Sequence, residues 1–204
     1  MSLRCLLWDF GDTLYDERSI WDATPAWGAL YETFDVAGGL GELWCRGEIS
    51  DAIALERIAA SVGWSRHAVH ARFLDPSVYR PFHASLAFFH ARNLPQAIVT
   101  VNPPLFRDIA QALGLTKSAP TLVISGEEGT SDKGVLCATA LERLGLDLLP
   151  GETVLIDNRD DNLEAWKRRG GVGYLHRGDC AFAQDLVAGV HTLGRQEIPP
   201  PEEA

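Results

Sequence analysis

Five short runs of this chain are apolar almost throughout: Leu3–Asp9, Gln96–Val101, Thr121–Ser125, Thr153–Asp157 and Val172–His176. A strand with one wet face alternates apolar and polar residues, whereas a strand covered on both faces does not. Between the later runs lie helical stretches, Pro104–Leu113, Lys133–Leu144 and Asp161–Arg169. Each is followed by a glycine stop: Gly114, Gly145 or Gly170. Buried strands alternating with helices predict an α/β fold with a parallel sheet.

Residues from about Tyr15 to His83 break this pattern. No buried strand is evident there, and amphipathic stretches take over at Trp21–Phe34, Gly41–Arg46, Ser50–Val62 and Ser65–Phe73. Ile49, Ile53, Leu55, Ile58 and Val62 form a rough helical stripe, with Ser50 placed as its N-cap. The organisation expected is therefore a core from 1–14 and 84–195 with an inserted all-helical unit over 15–83. The Pro- and Glu-rich tail, 196–204, is expected to be disordered.

Composition narrows the function classes. The 204 residues are 46% hydrophobic and 23% charged, an ordinary globular balance. No apolar run approaches the roughly 18 residues that span a bilayer, so no membrane partner is expected. The apolar part of the N-terminus is short for a secretory signal, and Asp9 interrupts it. Cys5, Cys45, Cys137 and Cys180 are scattered without a CxxC pair, which reads as reduced thiols in a cytoplasmic protein. The net charge is −10 with no basic stripe, so no nucleic-acid partner is expected.

The chemistry-bearing residues sit at strand ends. Asp9 closes the first apolar run, Thr100 the second, and Asp157 the fourth, while Lys133 opens the helix after the third. An aspartate before a turn is by itself often only a cap. In open α/β sheets, however, ligands bind at the carboxyl ends of the strands, which brings these four into one crevice. A carboxylate, a hydroxyl, a lysine and an acidic loop suit an anionic group held by a cation, as in phosphoryl transfer.

In these four motifs and their order the chain resembles the haloacid dehalogenase-like (HAD) superfamily of hydrolases. The inserted helices resemble that family's cap, placed between the first and second motifs. The resemblance implies a Rossmann-like core and a covalent aspartyl intermediate. It implies Asp9 as nucleophile, Thr100 as a donor to phosphoryl oxygens, and Lys133 as the neutralising cation. Thr100, Val101, Asn102 and Lys133 make the substrate-binding set. It also implies Mg²⁺ bound by Asp9, the carbonyl of Gly11 and the acidic loop at Asp157 and Asn158. The function expected is a Mg²⁺-dependent phosphatase acting on a small phosphorylated metabolite.

Two positions depart from the family pattern. Its phosphatases carry a second aspartate two residues after the nucleophile, as general acid and base, and here that residue is Gly11. A missing general acid costs about 10²–10⁴-fold in rate. Asp12 is the adjacent candidate catalytic residue, although neighbouring side chains on a turn point in different directions. In the acidic loop Asn158 stands where a metal carboxylate is usual, with Asn162 four residues on. These departures leave two other readings open. One is a metal-independent haloacid dehalogenase, for which Arg18 and Arg159 are the nearest arginines to hold a substrate carboxylate. The other is a binding protein that keeps the fold without turnover.

Other signals are bland. His67 and His70, spaced i, i+3, lack further ligands nearby. Neither a nucleotide P-loop nor a GxGxxG turn is present. Most of the tryptophans in the insertion read as packing, with Tyr15 and Trp21 as candidates to line the crevice.

Overall fold

The computed structural model describes residues 3–34, 38–91 and 94–187. The chain begins with β1 (Cys5–Trp8) and β2 (Tyr15–Asp16), then a 3-10 helix, Glu17–Trp21. Four helices follow: α1 (Pro25–Phe34), α2 (Leu40–Cys45), α3 (Asp51–Val62) and α4 (Arg66–Phe73). Next come β3 (Arg80–Pro81), α5 (His83–Ala91), β4 (Gln96–Thr100), α6 (Phe106–Ala112), β5 (Thr121–Ile124) and α7 (Ser125–Glu128). The chain continues through α8 (Lys133–Leu144), β6 (Thr153–Asp157), α9 (Asp160–Lys167), β7 (Val172–Leu175) and α10 (Asp179–Val187).

The five long strands form one sheet in the order β5-β4-β1-β6-β7, parallel at every pairing. The fold is α/β with a Rossmann-like core. Both faces of the sheet are covered, which is why the runs are continuous rather than alternating. Along β1, Leu6 and Trp8 enter the core shared with the insertion, while Cys5 and Leu7 pack under α8 and α9 beside Val99, Leu155 and Trp166. Burial pushes the Cys5 thiol up to about 12, and Cys137 is raised by the same cause, so both stay protonated and unreactive.

The expected strands are found, with ends trimmed. Asp9, Val101, Ser125 and His176 lie just past them, where the chain turns off the sheet. Asp9 N–H still donates to Ile156 O at 2.9 Å, and His176 N–H to Asp157 O at 2.8 Å, so the ladder fixes the first residue of each turn.

The insertion is helical apart from its neck. There β2 pairs antiparallel with β3, Tyr15 opposite Pro81 and Asp16 opposite Arg80. Two-residue strands carry no periodicity, and this ribbon was not expected from the sequence. Nor were α5, α7 and α10. α5 is mostly apolar, so it shows no helical stripe. The expected caps do form: Ser50 accepts from Ile53 N–H and Ser65 from Ala68 N–H. The four helices close on an aromatic cluster in which Trp21 packs on Phe34 at 4.6 Å and Trp44 on Phe73 at 5.9 Å. The tail at 196–204 lies outside the described residues.

Cap and core meet at a tight seam. Ser125 Oγ donates to Cys45 O at 2.5 Å, and Asp51 Oδ1 accepts from both Trp44 Nε1 and Leu105 N–H. Gly47 has φ +70°, and a Cβ there would meet Gly126 O at 2.2 Å. Gly47→Ala therefore faces two penalties, about 1–2 kcal/mol for a left-handed alanine and a backbone collision that displaces α2 from α7. A fall in Tm with a raised KM is the expected result; an unchanged Tm would mean that the seam yields freely.

His176 ties the sheet to the loop after β1. Its Nδ1 lies 2.9 Å from Asp12 O, an atom that only accepts, so Nδ1 carries the proton. Nε2 then accepts from Ser85 Oγ at 2.9 Å. Burial lowers the His176 pKa, opposed by Asp12 and Asp179. The unfolded chain thus binds a proton at a higher pH, about 6.5, than the folded one does. Between those two values stability rises with pH. His176 should contribute in full above pH 7 and progressively less below about 6.5. His176→Gln should flatten that part of a stability–pH curve measured by urea unfolding; an unaltered slope would rule the residue out.

Candidate active site

The site is built at the carboxyl ends of β1, β4 and β6. β1 delivers Asp9, whose side chain is only 11% exposed. α8 begins at Lys133, capped by Asp132, which accepts from Val135 N–H. From there the fully buried Lys133 side chain reaches Asp9 Oδ1 at 2.6 Å and Asp157 Oδ2 at 3.0 Å. Burial alone would lower the Lys133 pKa, but the two carboxylates outweigh it and hold the ammonium charged. Asp9 is pushed up to about 6 by burial, against the pull of Lys133 and with a further push from Asp157. At neutral pH Asp9 is thus an ionised carboxylate that its surroundings only partly stabilise.

Above Asp9 opens a cavity of about 400 Å³, a size that suits small ligands. Thr100, Val101, Asn102 and Ser131 line its core side, and Ile20, Trp21, Phe34, Trp44 and Phe73 its cap side. The floor at the strand ends is therefore mainly polar, with Phe10, Phe106 and Ile109 beside it, and the roof is mainly aromatic. Asn102 Nδ2 donates to Thr100 Oγ1 at 2.7 Å, which orients that hydroxyl. Of the two aromatic candidates Trp21 lines the cavity, while Tyr15 is buried against Phe10 at 5.3 Å.

Several expected site residues lie elsewhere. The Asp12 carboxylate accepts from Glu17 N–H at 3.2 Å, and Asp12 is absent from the cavity lining among the described residues. At φ 52° its backbone makes the turn after Asp9. The structure thus gives it a turn-forming task rather than an acid's position. Asp157 is fully buried, with Oδ1 accepting from Arg159 N–H at 2.9 Å and Oδ2 facing Lys133. Asn162 Nδ2 lies 3.1 Å from both oxygens. These contacts take up its acceptor capacity, so Asp157 serves to hold Lys133 rather than to face the cavity. Arg18 pairs with Glu32 away from the lining. His67 and His70 join no group of metal-ligating side chains among the described residues.

The cavity also contains residues that sequence reasoning passed over. Glu17 and Tyr79 come from the two sides of the neck ribbon. Arg46 lines it from the end of α2 while pairing with Glu42 and Glu48. No local motif marks these residues; they enter because the cap folds back over the sheet.

The fold matches that of solved structures. One is a HAD family enzyme of Bacteroides thetaiotaomicron in complex with magnesium and inorganic phosphate, with TM-score 0.65 and 18% identity over 85% of this chain and 94% of that one. Another is an L-2-haloacid dehalogenase of Xanthobacter autotrophicus with chloropropionic acid covalently bound, with TM-score 0.64 and 16% identity over 97% and 85%. The chain has the haloacid dehalogenase-like fold. No protein-family model matches the sequence, and no curated protein does. A protein of Porphyromonas gingivalis described as a predicted HAD-like family hydrolase aligns equally well, with TM-score 0.65 and 16% identity over 86% and 91%. Within the HAD-like fold, both a magnesium–phosphate complex and a covalent haloacid adduct thus occur among comparable neighbours.

Proposed function

We propose that the protein is a HAD-fold phosphohydrolase that cleaves a small phosphorylated metabolite through an aspartyl phosphate. The observation that carries this reading is the Asp9–Lys133 contact beneath a polar floor. Asp9 is ionised, with Lys133 at Oδ1 and the Phe10 N–H also bonded to its carboxylate, and it lines the cavity from which a phosphoryl group would be attacked. Thr100 Oγ1 and Asn102 offer hydrogen bonds to phosphoryl oxygens. We propose that the helices over 15–83 act as a cap, whose aromatic roof limits substrate size and excludes water.

The buried cluster at and beneath the floor has two carboxylates, Asp9 and Asp157, against one ammonium, so an anionic substrate needs further positive charge. The oxygen donors at hand are the Asp9 carboxylate, the Gly11 carbonyl and the Asn158 amide, with Asp161 at the rim. This all-oxygen set fits Mg²⁺, which usually keeps several waters and one or two carboxylates. With Asn158 neutral and Asp157 committed to Lys133, the affinity should be low. When bound, the ion would neutralise phosphoryl charge.

The test is hydrolysis of 4-nitrophenyl phosphate with and without Mg²⁺, with chelator, beside chloride release from 2-chloropropionate. Turnover should need millimolar metal and be lost in chelator, because the site offers about one free carboxylate. Halide release without phosphate hydrolysis would overturn the reading. The dehalogenase alternative does have an observation in its favour: Arg46 and Arg159 both line the cavity and could hold a substrate carboxylate.

A further inference from the structure

Gly11 leaves a gap in the chemistry, because the family's usual proton donor would project from that position. The gap is not empty. A Cβ built on Gly11 would lie 2.7 Å from Glu17 Oε2 and 3.1 Å from Glu17 Cδ. Covalent geometry places an aspartate's own carboxylate oxygens about 2.4 Å from its Cβ. The Glu17 oxygen therefore sits at nearly the distance from position 11 that the missing oxygens would occupy. A side chain at position 11 would have to push the Glu17 carboxyl aside, and this chain has a glycine there.

The surrounding chain fixes Glu17 there. Asp12 turns the backbone at φ 52°, and its Oδ1 accepts from Glu17 N–H. Asp16 caps the 3-10 helix that Glu17 opens by accepting from Arg18 N–H, and β2 just before it is clamped by β3. Glu17, Asp9 and Gly11 line the same cavity.

We propose that Glu17 is the general acid and base of the reaction, a catalytic carboxyl delivered from six residues beyond the position that lacks one. This rests on the phosphohydrolase reading above. The Asp9 oxygen not held by Lys133 bonds to phosphorus as the bond to the leaving oxygen breaks, and that oxygen keeps the electron pair. Glu17, entering as the carboxylic acid, gives the leaving oxygen its proton, and the alcohol departs. The Glu17 carboxylate then takes a proton from a water whose oxygen bonds to phosphorus. The phosphorus–oxygen bond to Asp9 breaks, and its electron pair restores the carboxylate. The sum is ester plus water giving alcohol plus phosphate, with Glu17 reprotonated.

Leaving-group dependence tests this, using Glu17→Gln with an alkyl phosphate and with 4-nitrophenyl phosphate. The alkyl ester needs a proton donor in its first step and should slow by about 10²–10⁴-fold. The aryl ester needs none in that step but still needs a base to clear the intermediate. Glu17→Gln should therefore release a burst of one nitrophenol per protein and accumulate a phosphoryl adduct on Asp9 by mass spectrometry. In a second variant, Gly11→Asp with Glu17→Ala, the carboxyl returns to position 11, and part of the alkyl activity lost in Glu17→Ala alone should come back. Equal losses on both esters, with no burst and no rescue, would overturn the role of Glu17 while leaving the phosphohydrolase reading intact. No aryl phosphate turnover in the wild-type protein at high Mg²⁺ would overturn both.

Discussion

Asp9→Asn should abolish aryl phosphate turnover while leaving the protein as stable as wild type or more so. The proposed nucleophile is lost outright, and the removal of a catalytic nucleophile can cost about 10⁶-fold in kcat. Stability follows from the charge count. Lys133 is shared between two buried carboxylates, and the amide of the variant still offers an oxygen to its ammonium. The remaining Lys133–Asp157 pair, at 3.0 Å, is electrically balanced and stays buttressed by Arg159 N–H and Asn162. Burial has raised the Asp9 pKa to about 6, so between the ordinary carboxylate value and that point the folded chain binds more protons than the unfolded one. Stability therefore falls as pH rises through that window, an effect of order 1–3 kcal/mol that asparagine does not feel. Guanidinium unfolding at pH 7 should show an equal or higher midpoint than wild type. A large drop would mean that Asp9 is needed to balance Lys133, and the cluster would have to be redrawn.

The parts of the fold that the sequence disclosed are those with a long enough signal. Continuous burial marks β1, β4, β5 and β6, and α8 is bounded by Lys133 and Gly145 as expected. The strand-end rule then brings Asp9, Thr100 and Lys133 together, because a parallel sheet ends all its strands on one side. Closure over that edge was harder to see. The neck ribbon rests on two residue pairs, and Arg46 reaches the cavity only because Gly47 lets α2 touch the core. Asp157 shows the same limit at the level of one side chain. As a strand-end carboxylate it resembles a metal ligand, and only its hydrogen-bond partners reveal it as a support for Lys133. Glu17 was hidden for a related reason. The absence of a side chain at Gly11 is visible in the sequence, but what fills the space depends on how Asp12 turns the chain.

Lys133→Met should produce the opposite stability result at the same cluster. Methionine approximates the lysine stem in volume, so packing against Cys137 and the sheet is largely kept, and the change is mainly one of charge. Asp9 and Asp157 would then face each other with no cation between them, the latter with its side chain fully buried. Breaking a buried pair by removing one partner typically costs about 3–5 kcal/mol, because the other charge is left uncompensated. Here two charges are left. Their cheapest response is to take up a proton, which pushes the pKa of the pair upward and makes stability fall as pH rises. The loss should therefore be largest near pH 8 and shrink toward pH 5, the reverse of the slope that His176 imposes. Adding Asp157→Asn to Lys133→Met should restore part of the stability without restoring turnover, since Asp9 still lacks its cation. Denaturant unfolding of the two variants across that pH range separates the terms. A Lys133→Met protein within about 1 kcal/mol of wild type at pH 8, on the scale of a surface pair, would show that water reaches the cluster and screens it, and Asp9 would not be a buried carboxylate held by Lys133.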